Sequence, residues 1–168
     1  MAKIYLIGMP GSGKSTIGKA LATGLNYTFI DLDVEIETNE GAAIEAIFEQ
    51  KGEAYFRQIE AQVLSDVSDK KGDFVIATGG GTPCFYSGIK LMQETGITVF
   101  INVKPEVLID RLKSDTQRPL LKDGVEATIE DLYKERVTIY SKAQISIKAD
   151  ELSKAELVSK INDKLNFI

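Results

Sequence analysis

The sequence predicts an α/β protein in which a five-stranded parallel sheet carries helices on both faces, a three-layer α/β/α arrangement. Two observations predict it. β-prone runs alternate with segments of helical apolar spacing along the whole 168-residue chain, and chains that alternate in this way build parallel sheets with crossover helices. The first strand and the first helix are joined by Gly8-Met9-Pro10-Gly11-Ser12-Gly13-Lys14-Ser15, a complete G-x-x-x-x-G-K-[ST] phosphate-binding loop. The length suits one well-buried core and is short for two, so a single domain over residues 1–168 is expected.

Ile4-Tyr5-Leu6-Ile7 is the first strand, and Thr16 to Leu25 is a helix with Ile17, Leu21 and Leu25 on one face. Glycines at 8, 11 and 13 let the intervening backbone curl with its N–H groups inward, and the helix aims its positive end at the same point. An anion belongs there. Gly11, Ser12, Gly13, Lys14, Ser15 and Thr16 are the candidate phosphate residues of a nucleoside triphosphate such as ATP. Lys14 can reach the outer phosphates, and the Ser15 hydroxyl is suited to the accompanying magnesium ion. As a loop residue Lys14 is expected to be exposed and to matter little to the fold. A dinucleotide fingerprint is set aside, because Thr16 stands where its third glycine should be.

Tyr27 to Ile30 reads as the second strand, ending in Asp31-Leu32-Asp33. Alternation along an extended chain sends both carboxylates to one side, at the edge where open α/β sheets bind ligands. One of the two can then hold magnesium, through water, and the other can accept a hydroxyl proton. The alternative is that Asp33 caps a helix starting at Val34. From Val34 to Val67 the spacing is helical, broken near Asn39-Glu40-Gly41 and at Lys51-Gly52-Glu53. Phe56, Ile59, Val63 and Val67 form an apolar face. Arg57 and Glu60, three apart beside it, read as a surface ion pair of small value.

Asp73 to Ala77 is a third strand running into Thr78-Gly79-Gly80-Gly81, where successive glycines permit close approach of a ligand to backbone N–H groups. Residues 86–95 read as helix and Thr98 to Val103 as the fourth strand. A helix from Pro105 carries Val107, Leu108 and Leu112 inward, with Arg111 on a neighbouring face. Ser114 to Gly124, which contains Arg118, has no steady period and reads as a mobile loop. Ile129 to Tyr140 is helix, Gln144 to Ile147 the fifth strand, and Ser153 to Leu165 a closing helix.

Composition narrows the function. A net charge of −5 argues against nucleic acid as a partner, and no apolar run approaches the ~18 residues that span a membrane. A cytoplasmic location is expected. Cys84 is the single cysteine and the chain has no histidine, so neither an internal disulfide nor a His/Cys metal cluster is available; Cys84 reads as a small packed hydrophobe. Of 20 basic residues only those at 57, 111, 118 and 136 are arginine. Arginine offers the planar fork that binds carboxylate or phosphate at two points.

Taken with its motifs in order, the chain resembles the shikimate kinases of the nucleoside-monophosphate-kinase-like group over nearly its whole length. The marks are Gly8 to Ser15, Asp31-x-Asp33, Gly52-Glu53-x-x-Phe56-Arg57-x-x-Glu60, Gly79-Gly80-Gly81, Arg118-Pro119-Leu120-Leu121, and Arg136 followed by Tyr140. The resemblance implies ATP-dependent phosphorylation of the 3-hydroxyl of shikimate with Mg2+ and a sheet ordered 2-3-1-4-5; a monomer is expected. It implies a substrate-binding region near 33–61 and a lid near 112–124. It assigns Asp33, Arg57, Arg136 and the Gly79, Gly80 and Gly81 backbone to shikimate, and Arg111 and Arg118 to the nucleotide. Lys14, Asp33 and Arg118 become the catalytic residues, and Ser15 and Asp31 the metal residues. The rival acceptors are gluconate or a nucleotide; a nucleotide-driven switch is disfavoured because no N-K-x-D is present.

Overall fold

The computed structural model describes residues 2–113 and 125–167, the side chains of 125 and 126 excepted. The central strand is β1 (Lys3–Ile7), followed by α1 (Lys14–Leu25), β2 (Thr28–Asp31), α2 (Leu32–Glu40) and α3 (Ile44–Asp69). Then come β3 (Phe74–Ala77), a 3-10 turn at Thr82–Cys84, α4 (Gly88–Thr95), β4 (Ile97–Asn102), α5 (Pro105–Lys113), α6 (Val125–Tyr140), β5 (Ile145–Lys148) and α7 (Lys154–Leu165). The five strands pair in the order β2-β3-β1-β4-β5, and every pair is parallel. This is the expected order and class.

The register brings Ile4 opposite both Val75 and Ile97, so β1 is flanked on each side and its apolar run is buried without alternation. Tyr5, Leu6 and Ile7 are fully buried with Val75, Ile76, Val99 and Ile101. The C-terminal ends of β1, β2 and β3 lie side by side, with Leu6 opposite Ala77 and Asp31 opposite Ala77 from the other side. Everything attached to those three strand ends therefore converges on one edge of the sheet.

Several boundaries move. Helix α2 starts at Leu32 rather than Val34, because the Asp31 carboxylate caps it by accepting from the Asp33 N–H at 3.1 Å. Both expected interruptions are present: α2 ends at Gly41, and α3 is kinked at Gly52, whose φ of 81° and ψ of 171° no helix contains. On the buried face of α3 lie Phe56, Glu60, Val63, Leu64 and Val67, while Ile59 is only partly buried. In α5, Leu108, Ile109 and Leu112 turn inward and Val107 packs at the margin. Among the described residues no helix is long and apolar enough to cross a membrane.

Candidate active site

The phosphate loop bridges the end of β1 and the start of α1. Gly8 is required by space, since a Cβ there would stand 2.8 Å from the Ile101 carbonyl oxygen. Gly13 is required by conformation, as the helix N-cap with φ 91°, where a side chain is strained. Lys14 is 9% exposed, not the solvated residue expected. Its Nζ donates to the carbonyls of Gly8 at 2.9 Å and Met9 at 2.8 Å. A lysine whose stem is packed and whose ammonium is held by its own loop delivers its charge to a fixed point. Ser12 is buried in the same turn, while Ser15 and Thr16 are exposed on the first turn of α1. Arg111, from the last turn of α5, donates to the Gly11 carbonyl at 3.2 Å. Of the two arginines expected on the nucleotide side, Arg111 meets the loop, and Arg118 lies outside the described residues.

The Ser15 hydroxyl donates to Asp31 Oδ2 at 2.6 Å, while Oδ1 of the same carboxylate caps α2. Asp31 and Asp33 are thus not two alternating strand positions. Strand pairing stops at Asp31, and Asp33 sits in the first turn of α2. The capping alternative weighed for Asp33 belongs to Asp31. The two carboxylates remain close enough to interact. Burial, followed by the charge of Asp31, pushes the Asp33 carboxyl up from 3.8 to about 6; Lys14 opposes the rise, and Glu60 and Glu37 add to it. Asp33 therefore feels both the phosphate loop and the residues of α3.

The glycine triplet after β3 supplies the far wall. Each glycine leaves room for a different group. A Cβ at Gly79 would lie 2.9 Å from Glu60 Oε1 and 3.2 Å from Asp33 Oδ1. At Gly80 it would lie 2.9 Å from Pro10 Cδ and 3.0 Å from Arg136 Nη1, and at Gly81 it would collide with the Arg57 guanidinium. Asp33, Arg57, Arg136 and the phosphate loop are in this way gathered round three residues without side chains.

Arg57 is not the surface residue that its spacing from Glu60 indicates. Its side chain is 11% exposed and that of Glu60 2%. Arg57 Nη1 donates to Glu60 Oε2 at 2.8 Å, and the guanidinium lies 4.3 Å from the Phe85 ring centre and 5.2 Å from that of Phe56. Its buried Nε has no protein partner. An open cavity of about 450 Å³ adjoins it, lined by Glu53, Ala54, Arg57, Phe85 and Tyr86. Glu60 and Thr82 were missed as site residues. Thr82 follows the triplet directly, but nothing in the sequence tells that its hydroxyl reaches Glu60 Oε1 at 2.6 Å. Cys84 is partly buried against the core, where burial pushes its thiol up and away from reactivity.

An anion cradle with a fixed ammonium, facing a pocket with one carboxylate of raised pKa and two arginines, defines a phosphotransferase of the P-loop kinase fold. Comparison with known proteins narrows this. The family model described as shikimate kinase matches residues 10–166. The shikimate kinase of Sulfurihydrogenibium sp. is 43% identical over 165 residues, covering 98% of each chain, and that of Aquifex aeolicus 46% identical over 149 residues, covering 89% of this chain and 88% of the relative. The crystal structure of shikimate kinase from Bacteroides thetaiotaomicron superposes with a TM-score of 0.93 at 38% identity over 98% of both chains. That from Acinetobacter baumannii, solved in complex with shikimate, does so with a TM-score of 0.93 at 35% identity, over 99% of this chain and 93% of that one. The chain belongs to the shikimate kinase family. It is accordingly an enzyme, one that phosphorylates shikimate at the expense of ATP.

Proposed function

We propose that the chain transfers the γ-phosphoryl group of ATP to the 3-hydroxyl of shikimate, with Asp33, Arg57, Arg136 and the Gly79–Gly81 backbone holding the acceptor and the loop from Gly11 to Thr16 holding the donor. The observation that carries this reading is the convergence on the glycine triplet of Asp33, Arg57 and Arg136, with Pro10 of the phosphate loop so near that a Cβ at Gly80 would strike it. A small, very polar acid offers few apolar contacts, so two guanidinium forks and a carboxylate are the groups suited to its carboxylate and hydroxyls.

Phosphoryl transfer asks the protein mainly to align the hydroxyl with the phosphorus and to neutralise charge. In this reading Lys14 meets the oxygens of the transferred group, Arg111 and Arg118 serve the nucleotide side, and Asp33 orients the hydroxyl and takes its proton. The carboxyl pushed up to about 6 is still ionised at neutral pH and is a stronger base than an ordinary aspartate. Residues 33–61 act as the substrate-binding region and 112–124 as a lid, within one domain over 1–168.

The donor set near the loop fits magnesium. Ser15 Oγ and Asp31 Oδ2 are hard oxygens 2.6 Å apart, and among the described residues no group of three His, Cys, Asp or Glu forms a cage of its own. That is the pattern for an ion shared with phosphate and water. When bound, it would supply positive charge to offset the negative charge of the phosphates. Ser15 and Asp31 would hold it, Asp31 through water. We take the enzyme to work as a monomer in the cytoplasm. The deciding experiment is a coupled ADP-release assay with shikimate, quinate, gluconate and nucleoside monophosphates as acceptors. Turnover with shikimate well above the others is expected; equal turnover with a nucleotide would overturn the assignment of the arginines.

A further inference from the structure

Tyr140 ends α6, four residues after Arg136 and therefore on the same helix face. Its side chain is fully buried, and its ring packs against Phe100 of β4 with centres 5.1 Å apart. The hydroxyl is thus aimed by packing. It donates to the Gly80 carbonyl at 2.5 Å and stands 3.9 Å from Met9 Sδ in the phosphate loop. The Arg136 guanidinium lies near enough for its charge to act on the same hydroxyl, with Nη1 3.0 Å from where a Gly80 Cβ would stand. Gly80 is also where a side chain would strike Pro10 on one flank and Arg136 on the other. One phenol therefore touches three separate pieces of the site: the arginine of α6, the middle of the glycine triplet, and the loop that holds the donor.

We infer that Tyr140 is a positioning residue for the acceptor, one that holds the Arg136 fork in register with Gly80 and with the phosphate loop. The inference rests on the acceptor site proposed above. A buried tyrosine hydroxyl always seeks a partner, and a merely structural bond would stabilise the fold without regard to substrate. Here both partners belong to the acceptor wall. An arginine on a long, flexible stem binds a carboxylate at two points only if its plane is fixed in advance. Tyr140 supplies that fixed point from the same helix, and its bond to Gly80 keeps the glycine backbone from turning away. Without the hydroxyl, the Gly80 carbonyl loses its donor and the guanidinium loses a polar neighbour, while the ring and the core remain.

The test compares Tyr140→Phe, Arg136→Lys and the double variant with the parent, measuring Michaelis constants for shikimate and ATP, turnover, and melting temperature. Tyr140→Phe should raise the shikimate constant about tenfold, the scale of one lost bond to a charged group, and leave the ATP constant within about twofold. Because the hydroxyl acts through Arg136, the double variant should be no more than about twofold worse than Arg136→Lys alone. A folded Tyr140→Phe protein with an unchanged shikimate constant, or effects that multiply in the double variant, would overturn the inference. An unchanged constant in Arg136→Lys would overturn the acceptor site and this inference with it. A raised constant there beside an unchanged one in Tyr140→Phe would overturn this inference alone. Should Tyr140→Phe not fold, 4-aminophenylalanine at 140 keeps the ring and a donor to Gly80 while removing the oxygen beside Arg136. The shikimate constant should then rise, and a parental constant would overturn the proposal.

Discussion

Arg57 and Glu60 form a pair withdrawn from water, with Arg57 Nη1 2.8 Å from Glu60 Oε2, and the second Glu60 oxygen is taken by the Thr82 hydroxyl at 2.6 Å. Glu60 thereby fixes the guanidinium to the segment that follows the glycine triplet. Removing one member of a buried pair costs about 3–5 kcal/mol, far more than an exposed helix pair. Glu60→Gln should come near the low end of that range, because an amide oxygen can still accept from Arg57 or Thr82. The same variant should raise the Michaelis constant for shikimate, since Arg57 is no longer held by charge. Thermal melts and steady-state kinetics check both; parental values in each would return Arg57 and Glu60 to the status of a surface pair.

Gly81→Ala probes the same guanidinium from the other side. Gly81 has a φ of −86°, which any residue adopts, so the substitution acts through space alone. The added methyl would collide with the Arg57 guanidinium. The side chain must move, and its place between Glu60 and Phe85 must be given up. We expect Gly81→Ala to reproduce Arg57→Lys. Each should weaken shikimate by about 1.5–3 kcal/mol, the range for hydrogen bonds to charged groups, with little change for ATP. Divergent kinetic profiles for the two variants would separate the glycine from the arginine.

Asp33→Asn should have opposite effects on stability and on catalysis. The carboxyl is raised from 3.8 to about 6 by burial and by Asp31, so between those values the folded protein binds more protons than the unfolded chain. Stability contributed by this group is therefore greatest in acid and falls as pH rises from about 4 to 6; above 6 the ionised group carries its full penalty, on the order of 2–3 kcal/mol. The asparagine variant should melt above the parent at pH 7–8 and converge with it near pH 4. Its turnover should fall roughly 10²-fold or more if general-base catalysis contributes. The acid limb near pH 6 in kcat/KM should vanish with it. A melting gain independent of pH would show that ionisation is not its source.

Lys14→Met should lower turnover by several orders of magnitude, as loss of the charge that meets the transferred group requires. It should also cost stability, because the ammonium donates to the Gly8 and Met9 carbonyls from a largely buried place. Each carbonyl left without a donor costs about 1–3 kcal/mol where water cannot replace it. Melting and ADP release, measured together, check that the loss of turnover exceeds the loss of folded protein.

The alternating elements, the phosphate loop and the breaks at Gly41 and Gly52 were legible because each depends on residues close in sequence. The strand order came from resemblance to a family, since periodicity does not say which strands pair. The burial of Glu60 was invisible: its spacing from Arg57 matches a solvated helix pair, and the partner that draws it inward, Thr82, lies on another element. Asp33 reads as a second strand carboxylate because two alternating aspartates fit an extended chain as well as a helix start. Only the bond from the Asp33 N–H shows where strand ends and helix begins. The partners of Tyr140 likewise come from positions 131 and 60 residues away.

The phosphate loop is the earliest functional segment of the chain, yet its walls come from the second half. Gly8 is closed over by the Ile101 carbonyl, Gly11 by the Leu112 side chain, and Arg111 reaches back to Gly11. The strand that bears the loop is itself framed by partners near residues 75 and 97. On the ribosome, where segments emerge in order, the loop leaves before β4 and α5 and gains these walls only once they have followed. A nucleotide is therefore expected to meet the complete cradle only once α5 has emerged.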